Sequence, residues 1–146
     1  MHPSLMAALV FTTITMFEQA AQEVERLPDK TVEITRKDGK LVFIEHGKEK
    51  AQAIPVVVGE TIRWENKDTQ PHTVVSVQTA AGKPLFDTGI IPPGKHKDVH
   101  FDIDMYQRAG GKPANVVRVK YHNRAQIDEV GELHFLSAAR RGRGLR

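Results

Sequence analysis

Apolar and polar residues follow two rhythms along this chain. Residues 5–17 are mostly apolar and carry no charge, whereas from Thr31 to Phe135 apolar side chains recur at every second position in short runs. The first rhythm suits a helix and the second suits half-buried β-strands. Val32 and Ile34 lead into Asp38-Gly39, and Leu41 and Phe43 lead out of it, which predicts a hairpin. Residues 54–58 form an apolar strand that turns at Gly59-Glu60. In the next strand Ile62 and Trp64 alternate with Arg63 and Glu65. A polar loop then brings Pro71-His72-Thr73 into a strand over residues 73–77, followed by a turn at residues 80–84. Residues 86–93 are expected to cross between sheets. Val99, Phe101 and Ile103 are expected to face inward, with His100 and Asp102 outward. Residues 104–114, with Ala109-Gly110-Gly111-Lys112-Pro113, read as a flexible excursion, and residues 117–121 and 131–135 as the last strands. About eight short strands separated by Gly and Pro turns predict an all-β, antiparallel sandwich.

The division expected is an apolar helical segment over 1–28, a β-sandwich over 29–137 and a basic tail over 138–146. Residues 18–30 keep a helical composition until Pro28 stops it. Residues 5–17 are shorter than the about 20 residues that cross a bilayer, and no Lys or Arg precedes them. Three readings stay open for them: a cleaved signal ending near Ala21 or Gln22, a helix docked on a partner or membrane, and a helix packed on its own domain.

At 146 residues the chain supports one domain with a real core. Arg140, Arg141, Arg143 and Arg146 outweigh the whole formal charge of +3, so the body is near neutral and only the tail is basic. That pattern does not indicate a nucleic-acid-binding face on the domain. The absence of cysteine excludes disulfides, thiolate ligands and iron–sulfur clusters.

Two blocks of sequence resemble the cupredoxins, the plastocyanin-like copper proteins. One is the apolar strand with Gly59-Glu60, Trp64 and Asn66 followed by Pro71-His72. The other is Phe86-Asp87-Thr88-Gly89-Ile90-Ile91-Pro92-Pro93-Gly94 followed by Val99-His100-Phe101. The resemblance covers roughly residues 50–136 and implies a cupredoxin-like Greek-key β-sandwich with an N-terminal apolar helix. It also implies that His72 stands where such proteins supply a first copper ligand. The blue-copper site needs a Cys thiolate, two His and a weak axial ligand. Family members carry Cys-x-x-His and a Met on the loop before the last strand; here that loop runs from Tyr121 to Gly131. With Gly131 as anchor, Glu129 takes the Met position. A short, amicyanin-like loop puts Asn123 and Gln126 at the Cys and His positions, and a longer, plastocyanin-like loop puts Tyr121 and Arg124 there. Either way the type 1 ligands other than His72 are lost.

His72, His122 and Glu129 are the candidates for a different, non-blue copper or zinc site, although strand alternation turns His122 outward. His100 and His134 fall on outward strand positions, His46 and His96 in turns, and His2 would ligate only as a processed amino terminus. No phosphate loop, nucleophile elbow or zinc-protease motif is present, Asp102 and Asp104 lack a partner, and Trp64 is in phase with the core. The expectation is therefore a non-enzymatic, cofactor-free accessory subunit in the bacterial periplasm. It would bind other proteins of a membrane-bound electron-transfer complex, respiratory or photosynthetic, with membrane-surface contact through residues 5–17 and 140–146 and no nucleic acid. The alternative is a copper or zinc protein using His72 and Glu129.

Overall fold

The structure is a computed structural model that describes residues 26–77, 79–80 and 82–138. The expected N-terminal helix and the arginine tail lie outside the described residues. Two sheets face each other. The smaller holds β1 (Lys30–Lys37), β2 (Lys40–Glu45), β4 (Thr61–Asn66) and β9 (His96–His100), in the order β2-β1-β4-β9. The larger holds β3 (Ile54–Val57), β5 (His72–Ser76), β8 (Asp87–Ile91), β10 (Val116–Asn123) and β11 (Gln126–Leu136), in the order β3-β11-β10-β5-β8. A small ribbon pairs β6 (Thr79–Ala80) with β7 (Lys83–Pro84), and one helix, α1 (Ile103–Arg108), follows β9. Most pairings are antiparallel, but β1 runs parallel to β4 and β3 parallel to β11. The chain passes repeatedly from one sheet to the other, the Greek-key pattern of a sandwich.

Period-two alternation places the core. Val32, Ile34, Ile62 and Trp64 from the smaller sheet meet Ile54, Val56, Val74, Val119, Tyr121, Leu133 and Phe135 from the larger, each at most 1% exposed. Each such side chain contributes roughly 1.5–3 kcal/mol on burial. Trp64 is at the centre, stacked on Phe86 at 5.9 Å and edge-on to Tyr121 at 4.8 Å and Phe43 at 6.3 Å. Its indole N–H has no hydrogen-bond partner among the described residues. On the outer face of the smaller sheet, Arg63 pairs with Asp98, Lys67 with Glu65 and His46 with Glu33. The hairpin between β1 and β2 turns at Asp38 (φ 52°) and Gly39 (φ 79°), the left-handed pair that suits strand twist.

Three expectations need correction. Residues 87–91 do not cross between the sheets: β8 pairs with β5, and the crossing occurs over residues 92–95. His96 is not in a turn but opens β9, opposite Glu65. The alternation Val99, Phe101, Ile103 breaks after Phe101, because Asp102 is an N-cap whose carboxylate accepts the Met105 N–H at 2.7 Å. That bond satisfies a donor the helix leaves free and turns the chain into α1, so Ile103 is 53% exposed rather than inward. Asp104 pairs with Arg108 one turn on. The tract after α1 is held too: the Tyr106 hydroxyl lies 2.7 Å from the carbonyl oxygens of both Lys112 and Asn115.

Candidate functional site

The loop that presents His72 begins at Asn66, the last residue of β4 and wholly buried. Its Nδ2 donates to the carbonyls of Gln70 at 2.7 Å and Ile91 at 2.9 Å, and its Oδ1 accepts the Asp68 N–H at 2.9 Å. One amide side chain thus satisfies three backbone groups at the base of the loop, which would otherwise each cost free energy. Asp68 is turned inward by this arrangement. Its Oδ2 accepts from His72 Nε2 at 2.7 Å and from Arg36 Nε of β1 at 2.9 Å, while Oδ1 accepts the Thr69 N–H at 2.8 Å. The hydrogen bond from His72 leads in holding the Asp68 carboxyl below the usual range, aided by Thr69 and Arg36 and opposed by desolvation.

His72 is 4% exposed, and its other nitrogen, Nδ1, lies 2.9 Å from Nδ2 of Asn123. An ionised Asp68 only accepts, so Nε2 carries the proton and Nδ1 accepts from the amide. The orientation of that amide follows from its oxygen, which faces the N–H groups of Thr73 and Ala125, each at 3.4 Å. Asp68, His72 and Asn123 therefore form a closed chain in which both imidazole nitrogens are bonded to protein.

Asn123 reaches His72 because the expected loop before the last strand is a strand itself. β11 starts at Gln126, so β10 and β11 are joined by Arg124-Ala125 alone, with a register shift between His122 and Asn123. Gly131 lies inside β11 opposite Tyr121, and a Cβ there would stand 2.1 Å from the tyrosine ring. The ring covers the glycine, which lets the hairpin stay paired. Burial pushes the Tyr121 hydroxyl well above its ordinary pKa.

The three candidate ligands are held apart. His72 faces Asp68 and Asn123, His122 is half-buried with Nδ1 bonded to the Asn123 carbonyl oxygen at 2.8 Å, and Glu129 Oε1 accepts the Leu41 N–H of β2 at 3.0 Å. Glu129 is in a strand, where it links the two sheets, instead of in a loop. Among the described residues, Gln126 Oε1 and Glu129 Oε2 are buried without hydrogen-bond partners, and neither residue bonds to His72. Among the described residues no group of three or more His, Cys, Asp or Glu is placed to hold a metal ion. His46 pairs with Glu33 at 2.8 Å, His100 with Thr61 at 3.0 Å and His134 with Glu132 at 2.6 Å.

A type 1 copper centre does not fit these residues. The chain has no thiolate, and Asn123, at the cysteine position of the shorter loop alignment, is already bonded to His72. What this end of the sandwich does offer is a fixed surface. A cavity of ≈ 400 Å³ opens between Pro71, Thr73, Asp87, Ile90, Arg124 and Ala125. Ile90 and Ile127 stand 69% and 66% exposed, and Arg124 is ion-paired to Asp87. Asn66, Asp68 and Arg36 are the site residues that sequence reasoning missed. The visible signal was Asp68 four residues before His72 in a polar loop.

No protein-family model and no curated protein matches this chain. Solved structures do. A purple cupredoxin from Nitrosopumilus maritimus aligns over 73% of this chain and 99% of its own, with 19% identity and a TM-score of 0.51. A methionine-to-alanine mutant of amicyanin with Cu(I) aligns over 72% of this chain and 79% of its own, at 17% identity and TM-score 0.48. A reduced tryptophan-to-tyrosine mutant of amicyanin aligns over 75% and 86%, at 14% identity and 0.49. The fold is that of a cupredoxin, as the two sequence blocks implied.

Proposed function

We propose that this chain is a cofactor-free binding subunit: a cupredoxin-fold sandwich that uses its loop end as a docking surface and carries out no electron transfer and no catalysis. The observation that carries the reading is the closed chain Asp68–His72–Asn123, which commits both nitrogens of the one remaining ligand to protein. A metal would have to displace the amide, and no sulfur donor would compensate for it. The apolar rim of Ile90 and Pro71 beside the Arg124–Asp87 pair has the mixed character of a protein contact.

The partners that suit this reading are protein subunits of a membrane-bound electron-transfer complex, respiratory or photosynthetic, reached in the periplasm. The arginines of residues 140–146 are a second contact, for acidic protein or anionic lipid. Titration of the purified protein with Cu(II) and Zn(II), followed by calorimetry and electron paramagnetic resonance, is expected to show no stoichiometric site that depends on His72. A one-to-one site lost in His72→Ala would establish the metal-binding alternative. Gentle solubilisation of native membranes is expected to co-purify the chain with such subunits, and Ile90→Asp to release it. Equal recovery of wild type and variant would remove the loop end as the docking surface.

A further inference from the structure

We propose that residues 5–17 pack onto their own domain, in the apolar groove beside α1, at the end of the sandwich opposite His72. Val58, Ile103, Tyr106, Pro113 and Ala138 line this groove of ≈ 290 Å³, and Lys112 is the one charged residue on its wall. Its volume falls at the low limit of sites for small ligands, about 300–1,000 Å³, and suits a few apolar side chains. Ile103 is 53% exposed in a helix whose Met105 and Tyr106 are buried, so one large apolar group is left without cover.

Chain path identifies the occupant. The Asp29 N–H donates to the Thr61 carbonyl at 2.9 Å, and the Thr61 N–H donates to Asp29 Oδ2 at 2.7 Å. Thr61 follows the Gly59-Glu60 turn, on whose far side Val58 lines the groove. The Gly59 N–H bonds the carbonyl of Phe101, two residues before Ile103. The chain therefore joins the domain one turn away from the groove. The twelve Cα–Cα steps from Phe17 to Asp29 span about 40 Å extended and about 18 Å as helix, so either form reaches it. The competing stretch of this chain, beyond Ala138, carries four arginines whose desolvation in an apolar groove is costly. Residues 5–17 carry no charge.

Photocross-linking of the full chain tests this. Ile103→p-benzoylphenylalanine, irradiated in dilute solution, is expected to link to residues 5–17 at the mass of one chain, with a yield independent of protein concentration. A product of twice that mass would put a second copy in the groove and overturn the proposal. Loss of the intrachain link on adding phosphatidylcholine–phosphatidylglycerol vesicles would overturn it in favour of a membrane. So would a native amino terminus near Ala21 or Gln22. Hydrogen exchange gives an independent reading. Deleting residues 1–25 is expected to speed exchange over residues 103–113 about tenfold. Ile103→Asp in the full chain should do the same, because an acid in the first turn favours the helix itself and leaves cover as the quantity changed. Unchanged rates in both variants would overturn the assignment.

Discussion

The two ends of this sandwich are built by opposite means. At the end holding His72, irregular backbone is fixed by side-chain amides and carboxylates: Asn66 ties three backbone groups, and Asp68 gathers Arg36, Thr69 and His72. At the other end aromatic packing leads: Tyr106 lies edge-on to Phe135 at 5.1 Å and Phe101 to Phe135 at 5.5 Å, with the Asp102 cap and the Tyr106 hydroxyl as polar ties. Directional polar bonds specify a geometry, so they suit a surface that must keep its shape. Apolar packing accepts changes in what covers it. The difference teaches that irregular backbone can be fixed by its own polar groups, provided they find one another.

Four measurements break or sharpen this contrast. Asn66→Ala strands the Gln70 and Ile91 carbonyls and the Asp68 N–H, with an expected loss of about 3 kcal/mol in denaturant unfolding. A loss below the error of the measurement would mean that the loop end is not held as described. Gly131→Ala drives a methyl into the Tyr121 ring and should cost about 2 kcal/mol, with the β10–β11 hairpin exchanging faster than α1. Asp102→Ala removes the cap and should cost about 1 kcal/mol, with faster exchange confined to residues 103–110. Changes at Asn123 in that variant would show that the two ends are coupled.

The smallest effect is a slope. Asp68 has a depressed pKa in the folded chain, so below its ordinary value of 3.8 the unfolded chain binds the extra proton. The stabilisation is complete above that value and fades as pH falls through the lower, folded pKa. Asp68→Asn should flatten the acid limb of a stability–pH curve from denaturant unfolding, and a limb as steep as that of the wild type would remove Asp68 as its source.

Strands and core were legible because they depend on local period. Ile62 and Trp64, or Val119 and Tyr121, declare their faces without reference to anything distant. α1 was hidden because Ile103 continues the period of Val99 and Phe101, and one N-cap bond from Asp102 decides against it. The β10–β11 hairpin was hidden because Arg124-Ala125 lacks the Asn-Gly or Asp-Gly signature of such turns. The site was half legible. His72 came from the sequence, as did Asn123 under one of two loop alignments, but their bond joins residues 51 positions apart, with Arg36 brought in from a third segment.

The parallel pairing of β3 with β11 has a consequence for synthesis. Val56 finds its partner Phe135 only after every strand between them has been made, and Leu136 is the last residue to close that edge. Until then a nascent sandwich has an open seam, so the larger sheet is the later of the two to be completed. Pairings this distant in sequence place folding on the millisecond-to-second scale of other β-sandwiches.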